Sequence, residues 1–179
     1  MRRSTKLIPA IIALGGLLTA ALVGTAAGQD KRDFTGDPLV GAWMVRTPGG
    51  PAMAVFSADG TVVQGIPTTQ TGPGGLTYVS AEIGTWEPTG ERTNHFTAVQ
   101  LLSDANGLFT GTVTIDAYQV VSEDGRTFTS TEGTNVTIRD AANNILQVIT
   151  GNDPPAVGTR MTVGSTGLPE PSAAASAAP

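Results

Sequence analysis

Apolar and polar residues alternate along the chain from Leu39 to Val163, and turns rich in Gly, Asn and Asp separate the alternating runs. Alternation places the apolar side chains on one face of a strand and the polar side chains on the other. Short runs at regular spacing, with no helical pattern between them, are typical of an antiparallel barrel or sandwich. The pattern therefore predicts an all-β, antiparallel up-and-down β-barrel of about eight strands plus a short closing strand. The runs span residues 39–47, 52–57, 61–66, 78–87, 94–103, 109–122, 127–139, 145–150 and 159–163.

Two glutamates interrupt faces that the alternation predicts to be dry. Glu82 shares a face with Trp86, and Glu132 shares a face with Phe128. If both faces line the barrel, burial raises the pKa of each carboxyl group, which makes Glu82 and Glu132 candidate catalytic acids or bases. The alternative is a β-bulge, which Gly84 and Gly133 are both able to support, and a bulge would turn the glutamate toward water.

Two amides also fall on predicted dry faces. Gln100 shares its face with Phe96, and Gln119 lies on the apolar face of the run that starts at Phe109. If the barrel is hollow, these amides and the large aromatic side chains would line its cavity. The predicted ligand-binding residues are Trp43, Trp86, Phe96, Gln100, Gln119 and Phe128.

Two Gly-x-Trp motifs carry a resemblance to known proteins. The segment Gly41-Ala42-Trp43 opens the first run, and in this respect the chain resembles the calycin superfamily, whose lipocalin branch has Gly-x-Trp near the start of the first barrel strand. That resemblance implies a calycin-like barrel that binds a small apolar ligand, with Trp43 at its closed end. The segments Pro38–Trp43 and Gly84–Gly90 are also similar to secreted bacterial proteins of unknown function, which implies no activity. The alternative for both tryptophans is simple core packing.

The N-terminus has the layout of a secretory signal peptide. A basic start with Arg2, Arg3 and Lys6 precedes an apolar stretch over residues 7–23 and a run of small residues before Gln29. We expect residues 1–28 to be this signal, 29–36 a polar leader, 37–163 the β-barrel domain, and 164–179 a disordered tail rich in Pro, Ala and Ser. The alternative is an uncleaved membrane anchor. Either reading predicts bacterial-type export to a secreted or extracytoplasmic location.

Composition narrows the functions that the chain can perform. It has no cysteine and a single histidine, His95, so a zinc site is not expected and no metal or other cofactor is predicted. Removing residues 1–28 removes three of ten basic and none of fifteen acidic residues, which changes the net charge from −5 to −8. An acidic chain without a basic patch is not expected to bind nucleic acid, or an anionic membrane after signal cleavage.

Three hypotheses follow for the function. The first is a non-enzymatic barrel that binds a small apolar or amphipathic ligand, or a partner at its rim. The second is an isomerase or cyclase barrel, similar to allene-oxide-cyclase-like folds, that uses a cavity glutamate. The third is a filled structural barrel. The sequence favours a non-enzymatic function, because it has neither a Gly-x-Ser-x-Gly elbow nor a phosphate-binding loop. It does not indicate an oligomeric state.

Overall fold

The computed structural model describes residues 32–72, 75–151 and 153–166, so the predicted signal peptide and nearly all of the predicted tail lie outside the described residues. The described part is all-β and contains no helix. Within it, no helix is long and apolar enough to cross a membrane. The strands are β1 (Gly41–Thr47), β2 (Gly50–Phe56), β3 (Thr61–Gly65), β4 (Thr69–Gly72), β5 (Gly75–Val79), β6 (Glu82–Pro88), β7 (Thr93–Ser103), β8 (Phe109–Val121), β9 (Thr127–Ser130), β10 (Asn135–Asp140), β11 (Ile145–Thr150) and β12 (Val157–Arg160).

Eight of these strands close into an antiparallel barrel in the order β1, β2, β3, β6, β7, β8, β9, β12. The ring closes between β1 and β12, where Trp43 lies opposite Arg160. The predicted fold class is therefore confirmed. The predicted short closing strand corresponds to β12, which begins two residues earlier than expected and is itself a member of the ring of eight.

Two hairpins lie outside the ring. β7 and β8 have 11 and 13 residues and extend beyond the barrel wall, so their far ends offer free edges. The β4–β5 hairpin pairs with the far end of β7, and the β10–β11 hairpin pairs with the far half of β8. Closing the ring leaves no free edge within it, and the hairpins move the open edges to β4 and β11.

Two predicted runs are broken in the structure. The run 78–87 divides at Ser80-Ala81 into β5 and β6, and the run 127–139 divides at residues 131–134 into β9 and β10. In the second case Gly133 has a φ of +94°, a left-handed conformation that ends the extended chain. At each break the chain passes between the ring and an outer hairpin. The alternation of apolar and polar residues does not show where these passages occur.

The core is a cluster of aromatic side chains inside the barrel. Phe56 lies at its centre, with ring centroids 6.0 Å from Trp86, 5.9 Å from Phe96 and 6.3 Å from Phe128. Phe34, from the segment before β1, packs 4.9 Å from Trp86. The chain before the first strand thus covers the end of the barrel where Trp86 lies.

Candidate functional site

Both tryptophans are buried with their polar atoms satisfied. The indole Nε1 of Trp43 donates a hydrogen bond to the Leu39 carbonyl oxygen at 2.8 Å, and that of Trp86 donates to the Ser57 carbonyl oxygen at 2.9 Å. Their side chains are at most 1% exposed. Tryptophans with satisfied N–H groups and packed rings need no ligand to complete them.

A row of polar side chains crosses the barrel interior on β7, β8 and β9. Asn94 lies directly opposite Gln119, and Gln119 lies directly opposite Ser130. Asn94 is fully buried, and Gln119 and Ser130 are 2% and 8% exposed. Directly opposed residues on one face have Cβ atoms about 5 Å apart, so the three side chains are neighbours.

Most of the amide atoms in this row lack a hydrogen-bond partner. Both Nδ2 and Oδ1 of Asn94, and Nε2 of Gln119, are buried without a partner among the described residues. Ser130 differs, because its hydroxyl oxygen accepts a hydrogen bond from the Ala156 amide at 2.7 Å. Leaving a buried polar group unpartnered costs about 1–3 kcal/mol, so three such atoms are a substantial loss of stability at one place.

A second polar row lies on β3, β6 and β7. Gln64 is directly opposite Glu82, and Gln100 lies on β7 at the next inward position after Ala98. The amide nitrogen of Gln100 donates to the Ser80 carbonyl oxygen at 2.9 Å, whereas Nε2 of Gln64 has no partner among the described residues. Glu82 is 3% exposed, and burial raises its pKa from an ordinary 4.5 to about 7. Glu82 can therefore hold or release a proton near neutral pH.

The two candidate glutamates have different environments. Glu132 lies in the exposed turn between β9 and β10, next to the left-handed Gly133. The structure thus places Glu82 on the barrel interior, so the bulge alternative is wrong for this residue. It places Glu132 at the surface, because the strand ends in a turn at residues 131–134 and not because of a β-bulge.

Glu132 borders a surface groove of about 370 Å³. The groove is lined by residues of β7 and β8 and of the turns after β6 and β9. Asn94 and Gln119 are among them, although their side chains are buried. The groove and the row of unpartnered amides therefore share two residues. The lining residues are Thr89, Thr93, Asn94, Tyr118, Gln119, Val120, Thr131 and Glu132.

His95 belongs to a polar cluster on the outer face. Its Nε2 lies 3.1 Å from Oδ1 of Asp116, and the Thr97 hydroxyl donates to Oδ2 of the same carboxylate at 2.8 Å. The imidazole ring stacks on Tyr118 at 4.3 Å. Within the described ranges, no group of three or more His, Asp or Glu side chains is arranged to hold a metal ion. The Thr97 hydroxyl is bonded to the carboxylate rather than to the imidazole, so His95, Asp116 and Thr97 are not arranged as a Ser-His-Asp-type triad.

The six predicted ligand-binding residues all lie inside the barrel and are at most 7% exposed. The structure brings the four aromatic residues together in the core and divides the two amides between the two polar rows. Their contact with a ligand stays a prediction. Sequence reasoning missed Asn94 and Gln64, although each shares its face by alternation with a buried apolar residue, Phe96 and Val62 respectively.

Comparison with known proteins gives no relative from which a function could be transferred. No protein-family model matches the sequence, and no similar protein is found among curated proteins or solved structures.

Proposed function

We propose that this protein is a secreted, non-enzymatic binding barrel, which holds a small amphipathic ligand with its polar group at the amides of Asn94 and Gln119. The observation that carries the proposal is the set of three unpartnered amide atoms in that row. Buried polar groups in folded proteins nearly always have partners, and exceptions cluster where a protein trades stability for function. A ligand bearing a donor and an acceptor would satisfy these atoms.

The surroundings of the row favour an amphipathic ligand over a charged one. Phe96 and Ala117, the next inward pair along β7 and β8, are apolar, and they lie on the interior side of Asn94 and Gln119. Among the described strand pairings, no ionised side chain lies directly opposite a residue of the row, so a neutral hydrogen-bonding group fits it better than an ion would. This ligand class agrees with the calycin resemblance, which the Gly-x-Trp motif at Gly41 and the eight-stranded ring support.

Native mass spectrometry of the exported protein, purified from its own host, tests the binding proposal. We expect a small-molecule adduct that is lost on denaturation. The double variant Asn94→Leu/Gln119→Met should fold, because replacing unpartnered amides by apolar groups of similar shape is neutral or stabilising, but it should lack the adduct. Gln64→Met is the matched control, because the Gln64 amide nitrogen is also buried without a partner among the described residues but lies in the other polar row, opposite Glu82. An adduct-free wild type, or an adduct retained by the double variant, would contradict the proposal.

Export is part of the same proposal and has its own test. N-terminal sequencing of the exported protein should give a start near Gln29. Material that retains Arg2–Lys6 would instead support an anchor.

An isomerase or cyclase is the second candidate, and the observation that favours it is the buried carboxyl group of Glu82 with its pKa near 7. A group that gains and loses a proton near neutral pH is suited to moving a proton on an apolar substrate. An NMR titration of the side-chain carboxyl carbons measures the pKa of Glu82 and so tests this candidate function. A Glu82 pKa close to 4.5 would contradict it.

A further inference from the structure

An apolar surface covers the outer face of four adjacent barrel strands, β2, β3, β6 and β7, and extends onto β5 of the outer hairpin. Val55 on β2 is directly opposite Val63 on β3, Val63 is opposite Ile83 on β6, and Ile83 is opposite Val99 on β7. Four more apolar side chains extend this row on β2, β7 and β5. We define the outer apolar face as the eight residues Met53, Val55, Val63, Leu76, Tyr78, Ile83, Val99 and Leu101, which are between 38% and 62% exposed.

The composition of this face differs from that of an ordinary barrel exterior. On a strand with one buried face, the opposite side chains are expected to be polar, as they are in the outward Thr residues of β8. Exposed apolar residues occur singly on most protein surfaces, but a contiguous patch of them marks an interaction site. The row from Val55 to Val99 has aliphatic side chains on four adjacent strands, which is the composition of the inner face of a β-sandwich.

We propose that the outer apolar face is the interface of a homodimer, in which the faces of two copies pack against each other as two stacked sheets. Charge permits a second copy as the partner at this face, because the face itself is uncharged. The chain without residues 1–28 has a net charge of −8, so two copies repel each other over most of their surfaces. The outer apolar face carries no charge, and Glu87, the outward acidic residue of β6, lies four residues beyond Ile83. Two copies can therefore meet here without opposing like charges.

The available area is the reason for choosing a second copy as the partner. Eight aliphatic or aromatic side chains that are about half exposed offer on the order of 250–500 Å² of apolar surface. A standard interface buries about 800 Å² per partner, of which a little over half is apolar. The outer apolar face thus supplies the apolar part of one isologous interface, and the small Thr, Ser and Gly side chains around it supply the remainder.

Sedimentation equilibrium of the exported protein over a range of concentrations tests this proposal. The wild type should sediment as a dimer. Ile83→Lys, at the centre of the outer apolar face, should raise the dimer dissociation constant at least about 30-fold, the size expected for losing an interface hot spot. Val148→Lys is the matched control. Val148 is 50% exposed on β11, outside the face, so this variant should remain dimeric.

The other outcomes would overturn the proposal. A wild type that is monomeric at every concentration measured would contradict the homodimer. A Val148→Lys variant that dissociates as readily as Ile83→Lys would contradict it as well. If the monomeric wild type floats with phosphatidylcholine vesicles and Ile83→Lys does not, the face binds lipid instead. Circular dichroism spectra of the two folded variants should match, because both residues point outward and neither substitution should disturb the barrel.

Discussion

The guanidinium of Arg160 lies 4.2 Å above the ring centroid of Trp43 and ties the end of β12 to the start of β1. Besides this cation–π contact, Nε donates to the Gly125 carbonyl oxygen at 2.6 Å and Nη1 to that of Val40 at 2.8 Å, and Nη2 bonds the carbonyl of Pro38. One side chain therefore joins the segment before β1, the turn before β9, and the ring closure. Burial lowers the pKa of Arg160 from its ordinary value, and the carbonyl dipoles and the indole face stabilise its charge.

Trp43→Ala should destabilise the protein by about 3–5 kcal/mol, as expected for removing a fully buried aromatic side chain. The loss includes the packing against Phe128, whose ring centroid is 5.0 Å away. Urea unfolding followed by circular dichroism measures it. A change within about 0.5 kcal/mol, as for a surface residue, would mean that the Gly-x-Trp motif does not mark the core.

Arg160→Lys should cost about 2–4 kcal/mol, the size expected for losing two hydrogen bonds and the stacking on Trp43, even though it keeps the charge. Lysine lacks the planar fork that serves several carbonyl oxygens at once and stacks on the indole. Arg139→Lys is the control, because Arg139 donates to a single exposed carbonyl, that of Asn143, and should cost less than about 1 kcal/mol. Equal losses in the two variants would show that the Arg160 geometry contributes nothing to stability.

Gly84→Ala should destabilise the barrel although the substitution adds one methyl group. Gly84 lies on the inner face of β6, and an added Cβ would overlap the backbone of β7 at Thr97 and Ala98, so the two strands would have to separate. Overpacking of this kind costs about 1–3 kcal/mol, and more when backbone must move. Gly65→Ala on β3 is the matched control, because an added Cβ there meets no atom within 4 Å. Thermal melts that show the two variants equally stable would refute the close approach of β6 and β7.

Glu82 should make stability depend on pH between about 4.5 and 7. Its pKa is raised in the folded state, so the folded state holds the proton more tightly than the unfolded state does, and stability falls as pH rises through this window. A shift from 4.5 to about 7 corresponds to a loss on the order of 3 kcal/mol between the two ends. Glu82→Gln should remove this pH dependence. Unfolding free energies measured from pH 4 to pH 8 that fall equally in both proteins would assign the effect to other groups.

The barrel follows from the sequence because period-two alternation and turn residues are local signals. The long run of β8 shows this, since Ala117, Gln119 and Val121 are buried as its odd positions predict. The positions where the chain passes between the ring and an outer hairpin are not encoded locally. They depend on how far β7 and β8 extend beyond the barrel. That is why Glu132 could not be placed by alternation alone. The pairing of Asn94 with Gln119 also depends on register between strands, which the sequence of either strand does not contain.

A crystal structure of the protein isolated from its own host tests the binding proposal most directly. We expect electron density for a small organic molecule within hydrogen-bonding distance of the Asn94 and Gln119 amides, with its apolar part toward Phe96. Amides bonded to protein groups, to one another or to water alone, with no organic density beside them, would contradict the binding proposal.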